Sequence, residues 1–146
     1  MNKKQLASKL MLIGGLVEIF LGILHFIWPF QLIKTGEYVH LSADYMNLLF
    51  LSSLSIALCL SVFGLLSIYF SKRLLFDERS AWIYGISQGL IWEMRTLFEL
   101  ILPVKIPLLF ISNPTLLILP LAFLLGLLFL VPLWMVKEKF IHSEKK

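Results

Sequence analysis

Five ionisable side chains stand inside runs of sequence that are otherwise apolar. Glu18 and His25 share one run, and Glu93, Arg95 and Glu99 share another. An ionised group at the centre of a bilayer costs roughly 2.5–3.5 kcal/mol on insertion scales, so such residues normally face protein or water. A carboxyl group near a histidine offers proton coupling or general acid–base chemistry. Arg95 and Glu99 are four apart and can pair along one helix, presenting a guanidinium to a polar head group. Helical spacing sorts these residues into stripes. Gly14, Glu18, Gly22, His25 and Pro29 share one face; Tyr84, Gln88, Trp92, Arg95 and Glu99 share another. Trp92 alone of the four tryptophans falls at mid-membrane depth. The candidate polar cluster is therefore Glu18, His25, Gln88, Trp92, Glu93, Arg95 and Glu99.

Each member has a structural alternative. Polar residues in membrane helices often act as interhelical hydrogen-bonding glue, worth about 0.6–2 kcal/mol apiece. Ionised together, Glu18, Glu93, Arg95 and Glu99 sum to −2, so a titratable carboxyl is expected at Glu18 or Glu93. Metal chemistry finds little footing. No His-x-x-x-His, Glu-x-x-His or cysteine pair occurs, and Cys59 is a lone thiol expected in the core. Glu18 and His25 are about 10.5 Å apart along a helix, too far to share one ion. Haem ligation through His25 remains a minor alternative. Glu93 and Arg95 are about 200° apart around their helix and cannot both face one bundle centre. That separation favours a second chain, a bound lipid or a neighbouring helix as the partner of one of them, hence a homo-oligomer or a larger membrane complex.

The elements that must position these residues are four apolar stretches, at about residues 9–30, 45–71, 81–103 and 113–136. A bilayer core of about 30 Å needs about 20 residues of helix. The chain has 146 residues, 59% hydrophobic and only 15% charged, with mean hydropathy +0.88. A soluble domain is about a quarter charged, so this composition excludes a soluble enzyme, a disordered tail and a nucleic-acid module. Local chemistry marks the boundaries: Asp44, Ser80 and Asn113 as N-caps, Pro114 at a first helical position, Pro29 and Pro103 at helix ends. Pro120 and Pro132 fall inside the fourth stretch. On the second stretch Ser53, Ala57, Ser61 and Gly64 make a small-residue packing seam.

The net charge of +4 is a topology signal and not a nucleic-acid footprint. Ten of the 13 basic residues flank the stretches on one side, from Lys3, Lys4 and Lys9 through Lys72, Arg73 and Arg79 to the C-terminal lysines. Lys34 and Lys105 lie on the other side. The positive-inside rule then places both termini in the cytoplasm of a bacterial-type plasma membrane. Glu18 interrupts the first apolar run and no small-x-small site follows it, so this run reads as an uncleaved helix.

Residues 16–29, LVEIFLGILHFIWP, end in Gly-x-x-His-Phe-x-x-Pro and resemble the opening helix of DoxX-like small four-helix membrane proteins. The resemblance covers about a tenth of the chain and implies a four-helix membrane bundle. In size and helix number the chain is similar to membrane-associated eicosanoid and glutathione enzymes. Their Arg, Asn and Glu motif lies on the second helix, where this chain has no charge, and the segment WEMRTLFEL does not reproduce its order.

The expectation is one all-α, integral-membrane four-helix transmembrane bundle with both termini inside. It would bind a hydrophobic or amphiphilic small molecule, a lipid or quinone, or act as an accessory subunit. The alternatives are an intramembrane enzyme on a lipid or isoprenoid, using Glu and His as acid–base groups, and a structural subunit of a larger complex.

Overall fold

A computed structural model describes residues 2–35, 42–104, 111 and 113–141, and among these residues there are four long helices and one short one. They are α1 (Lys3–Thr35), α2 (Ala43–Leu74), α3 (Arg79–Ile101), α4 (Thr115–Val136) and the single-turn α5 (Glu138–Ile141). The apolar stretches read from sequence lie within or close to the four long helices. The ends differ for local reasons. Pro29 sits inside α1, which continues six residues beyond it to Thr35. Ser42, not Asp44, caps α2, its hydroxyl accepting from Tyr45 N at 3.5 Å, while Asp44 lies in the first turn. Ser80 is inside α3, which follows Glu78 without a side-chain cap. Pro114 directly precedes α4, and Ile118 N reaches its carbonyl at 2.8 Å. His40 and His142 lie outside the described residues, as does most of the connection 104–112.

The helices run up, down, up, down around a ring in which α1 packs on α2 and α4, and α3 packs on α4 and α2. Antiparallel pairing is visible in the cross-links: Lys4 Nζ meets Asp77 Oδ2 at 2.6 Å, Ser8 Oγ donates to Ser71 O, and Ser53 Oγ donates to His25 O. The first and third helices stand across the diagonal and meet through long side chains, as where Trp92 reaches Glu18. The α1–α2 contact is the most extensive because the predicted small-residue seam packs on the glycines of α1. A Cβ on Gly15 would lie 2.7 Å from Gly64 O, and one on Gly22 would lie 2.7 Å from Ser61 Oγ. Backbones this close exclude any side chain at those positions. Among the four adjacent pairs, α2–α3 is the sparsest.

Three helices, α1, α2 and α4, are long and apolar enough to cross a membrane. In α3, Gln88, Glu93, Arg95 and Glu99 lower the mean hydropathy. Its 23 residues still span about 34 Å. Large apolar side chains cover the outside of the ring, including Phe20, Leu58, Leu65 and Leu124. Cys59, expected in the core, is among the exposed residues. It lies off the α1-facing seam. The core of Met11, Leu74, Phe129 and Leu133 sits toward the end that carries the basic residues.

A candidate polar site between three helices

Glu18 is the centre of the polar layer and is fully buried. Its Oε2 accepts from Ser67 Oγ on α2 at 2.9 Å, and its Oε1 accepts from Trp92 Nε1 on α3 at 2.9 Å. Ser67 Oγ is 3.3 Å from the Tyr84 hydroxyl, which donates to Phe63 O at 2.7 Å. One carboxyl group thus joins three helices, and Tyr84 closes the α2–α3 side. A carboxylate accepts only, while serine, tyrosine and indole groups can donate, so the donor count matches the acceptors available. Ser67 was not singled out in the sequence, although it continues the Ser53–Gly64 seam by one step of three. That continuation was the available signal.

A second cluster closes the far end of α3. Glu99 is fully buried; its Oε1 accepts from Val104 N at 2.8 Å and from Thr115 Oγ1 at 2.7 Å. Arg95 Nη2 stands 2.6 Å from Glu99 Oε2, so the expected pairing along the helix is present. The contact is an ion pair by distance, and it is not aligned as a hydrogen bond. Glu99 therefore ties the C-terminus of α3 to the start of α4, and Thr115 is a partner the sequence did not signal. The Arg95 side chain is 38% exposed.

The other candidates are placed apart. His25 Nδ1 bonds to Leu21 O at 2.9 Å within its own helix, and its ring meets Trp28 edge-on at 6.3 Å. No described hydrogen bond joins it to Glu18. Glu93 packs against Gly126 of α4. Arg95, two residues further on, leaves α3 about 200° around the helix and meets Glu99 of the same helix. Gln88 is 2% exposed, one turn from both Tyr84 and Trp92. The Oε1 atoms of Gln88 and Glu93 and the indole nitrogen of Trp28 are buried without a hydrogen-bond partner among the described residues.

Where α2 passes Tyr84, the two helices touch: Phe70 and Tyr84 stack at 4.7 Å. Continuing that stripe of α2 by steps of seven, four, three and four gives Phe63, Cys59, Ile56 and Ser52. The last three are exposed, as is Ile91 opposite them on α3. The α2–α3 seam is closed at its basic-end half by the Phe70–Tyr84 stack and the Tyr84 bond to Phe63 O. Two clefts, of about 330 and 390 Å³, lie at the basic end, lined by Lys3, Lys4 and Met135 and by Gln5, Lys9 and Leu75. Neither touches the polar layer. Among the described residues, no group of three His, Cys, Asp or Glu side chains is placed to hold a metal ion.

Compared with family models, with curated proteins and with solved structures, the chain gives no match.

Proposed function

We propose that this is a small integral-membrane binding protein of a bacterial-type plasma membrane, with both termini cytoplasmic. It holds a hydrophobic or amphiphilic molecule of the lipid or quinone class beside Arg95, toward the outer half of the bilayer. The observation that carries this reading is Arg95. Its position on α3 is about 9 Å along the axis from the helix end, and its side chain is partly exposed one turn from the buried Glu99. An arginine has five N–H donors in a planar fork, and one described contact, to Glu99, leaves donors for an oxygen-bearing head group. Gln88 and Trp92 lie deeper on the same stripe, beside the path an apolar tail would take.

Native mass spectrometry in mild detergent tests the reading. Wild-type protein is expected to retain a small hydrophobic ligand, and Arg95→Ala to lose it with its helical content unchanged. A bare wild-type monomer counts against the reading. An Arg95→Ala protein that unfolds makes the ion pair structural, and co-purifying chains would indicate an accessory subunit. Acid–base catalysis draws less support, because both Glu18 oxygens are held by Ser67 and Trp92 and His25 bonds within α1.

A further inference from the structure

The basic end of the bundle, away from Arg95, carries a cleft of about 390 Å³ lined by Gln5, Ser8, Lys9 and Leu75. We propose that this cleft, between the start of α1 and the end of α2, holds the phosphate of an anionic phospholipid. Lys9 and Gln5 are its donors, and an acyl chain runs along the outside of α1. No acidic side chain lines the cleft. Lys9 has no ion pair among the described residues, whereas Lys4 and Arg73 at the same end are bound to Asp77 and Glu78. Gln5 is already oriented. Its Oε1 accepts from Asn2 N at 3.2 Å while its own N donates to Asn2 Oδ1 at 2.8 Å. That reciprocal cap leaves the two Nε2 donors for an anion. Ser8 gives its proton to Ser71 O at 2.7 Å and forms the buried wall.

Depth and chain path make the anion a lipid and not a free phosphate. The Glu18–Trp92 bond lies at mid-membrane depth, and Lys9 is nine residues from Glu18, a rise of about 13.5 Å. Half of a ~30 Å hydrocarbon core is about 15 Å, so a lysine side chain stretched outward reaches the phosphate layer. From Lys9 into the membrane, steps of four, three and four give Ile13, Leu16 and Phe20, all exposed. This apolar stripe rises about 16.5 Å from Lys9, close to the thickness of one leaflet. Leu75 adds an apolar wall on the α2 side. The neighbouring cleft of about 330 Å³ suits an anion less well, because Glu138 lines it and Lys4 is paired with Asp77.

The test is native mass spectrometry of the full-length protein in mild detergent, titrated with dioleoyl phosphatidylglycerol or dioleoyl phosphatidylcholine. Saturable binding of phosphatidylglycerol is expected, in preference to phosphatidylcholine, whose choline brings a cation to a basic surface. Excess inorganic phosphate should not displace it, and displacement would overturn the lipid assignment. Lys9→Gln, Gln5→Glu and Lys3→Gln each lower the net charge by one, and all three positions are exposed, so folding is expected to survive. Lys9→Gln and Gln5→Glu should weaken phosphatidylglycerol binding roughly tenfold, the loss of a charge-assisted contact. Lys3→Gln should leave it unchanged. Gln5→Glu keeps the acceptor for Asn2 N, so its effect does not come from a lost cap. Equal losses in all three variants mean diffuse attraction to a basic surface and overturn the site, as does equal binding of the two lipids. Arg95→Ala is expected to keep the lipid, which separates this site from the one proposed beside Arg95. Loss of the lipid in Arg95→Ala assigns it there and overturns the cleft.

Discussion

At the scale of single residues, Glu18 carries the most. Its carboxyl satisfies donors on two other helices, and removing it strands the Ser67 hydroxyl and the Trp92 indole in an apolar interior. Glu18→Ala is expected to destabilise the bundle by roughly 1–3 kcal/mol, the cost of buried donors left unpaired. Glu18→Gln keeps an acceptor for Trp92 and should lose less. Denaturation of detergent-solubilised protein followed by circular dichroism measures both, and equal losses would show that charge rather than hydrogen bonding matters at this position. The sequence marked Glu18, Trp92, Arg95 and Glu99 because polar groups in apolar runs need partners. It could not say which partner each would find. Arg95 and Glu99 were legible as a pair because four-residue spacing is local to one helix. The bond from Trp92 to Glu18 joins residues 74 apart and depends on which helices face each other.

Among the helices, the α1–α2 seam is the strongest contact and the α2–α3 seam the weakest. Gly15 and Gly64 bring two backbones together so closely that a Cβ on Gly64 would lie 2.5 Å from Gly15 O. Gly64→Leu should therefore separate α1 from α2 and pull Ser67 away from Glu18. Loss of folded protein in a thermal-stability assay is the expected outcome, and an unchanged melting temperature would refute the close packing. The seam was visible in sequence as Ser53, Ala57, Ser61 and Gly64, since small residues at spacings of three and four announce a close helix contact. Exposure of Cys59 was not visible. It sits in an apolar helix, and only the placement of α1 determines which side of that helix is covered.

Considered whole, the molecule gathers its described flanking basic residues at one end, with the exception of Lys34 in the last turn of α1. Lys4 pairs with Asp77 and Arg73 with Glu78, while Lys137 lies 3.4 Å from the centre of the Trp134 ring. The proposed orientation puts that end in the cytoplasm. In a Cys59→Ser background, Ser42→Cys is expected to react with a membrane-impermeant maleimide on intact cells, and Asn2→Cys only after lysis. The reverse pattern would invert the topology. Composition and apolar run length alone determined that this is a helical membrane protein, because an ordered chain this apolar must cover its surface with lipid. Charge placement along the chain supplied the orientation argument. Tertiary structure decided the rest: α1 and α3 stand across the diagonal with Trp92 reaching Glu18 between them, and Glu93 packs against Gly126 of α4. Those facts depend on how four helices share one ring, and helical periodicity describes each helix only relative to itself.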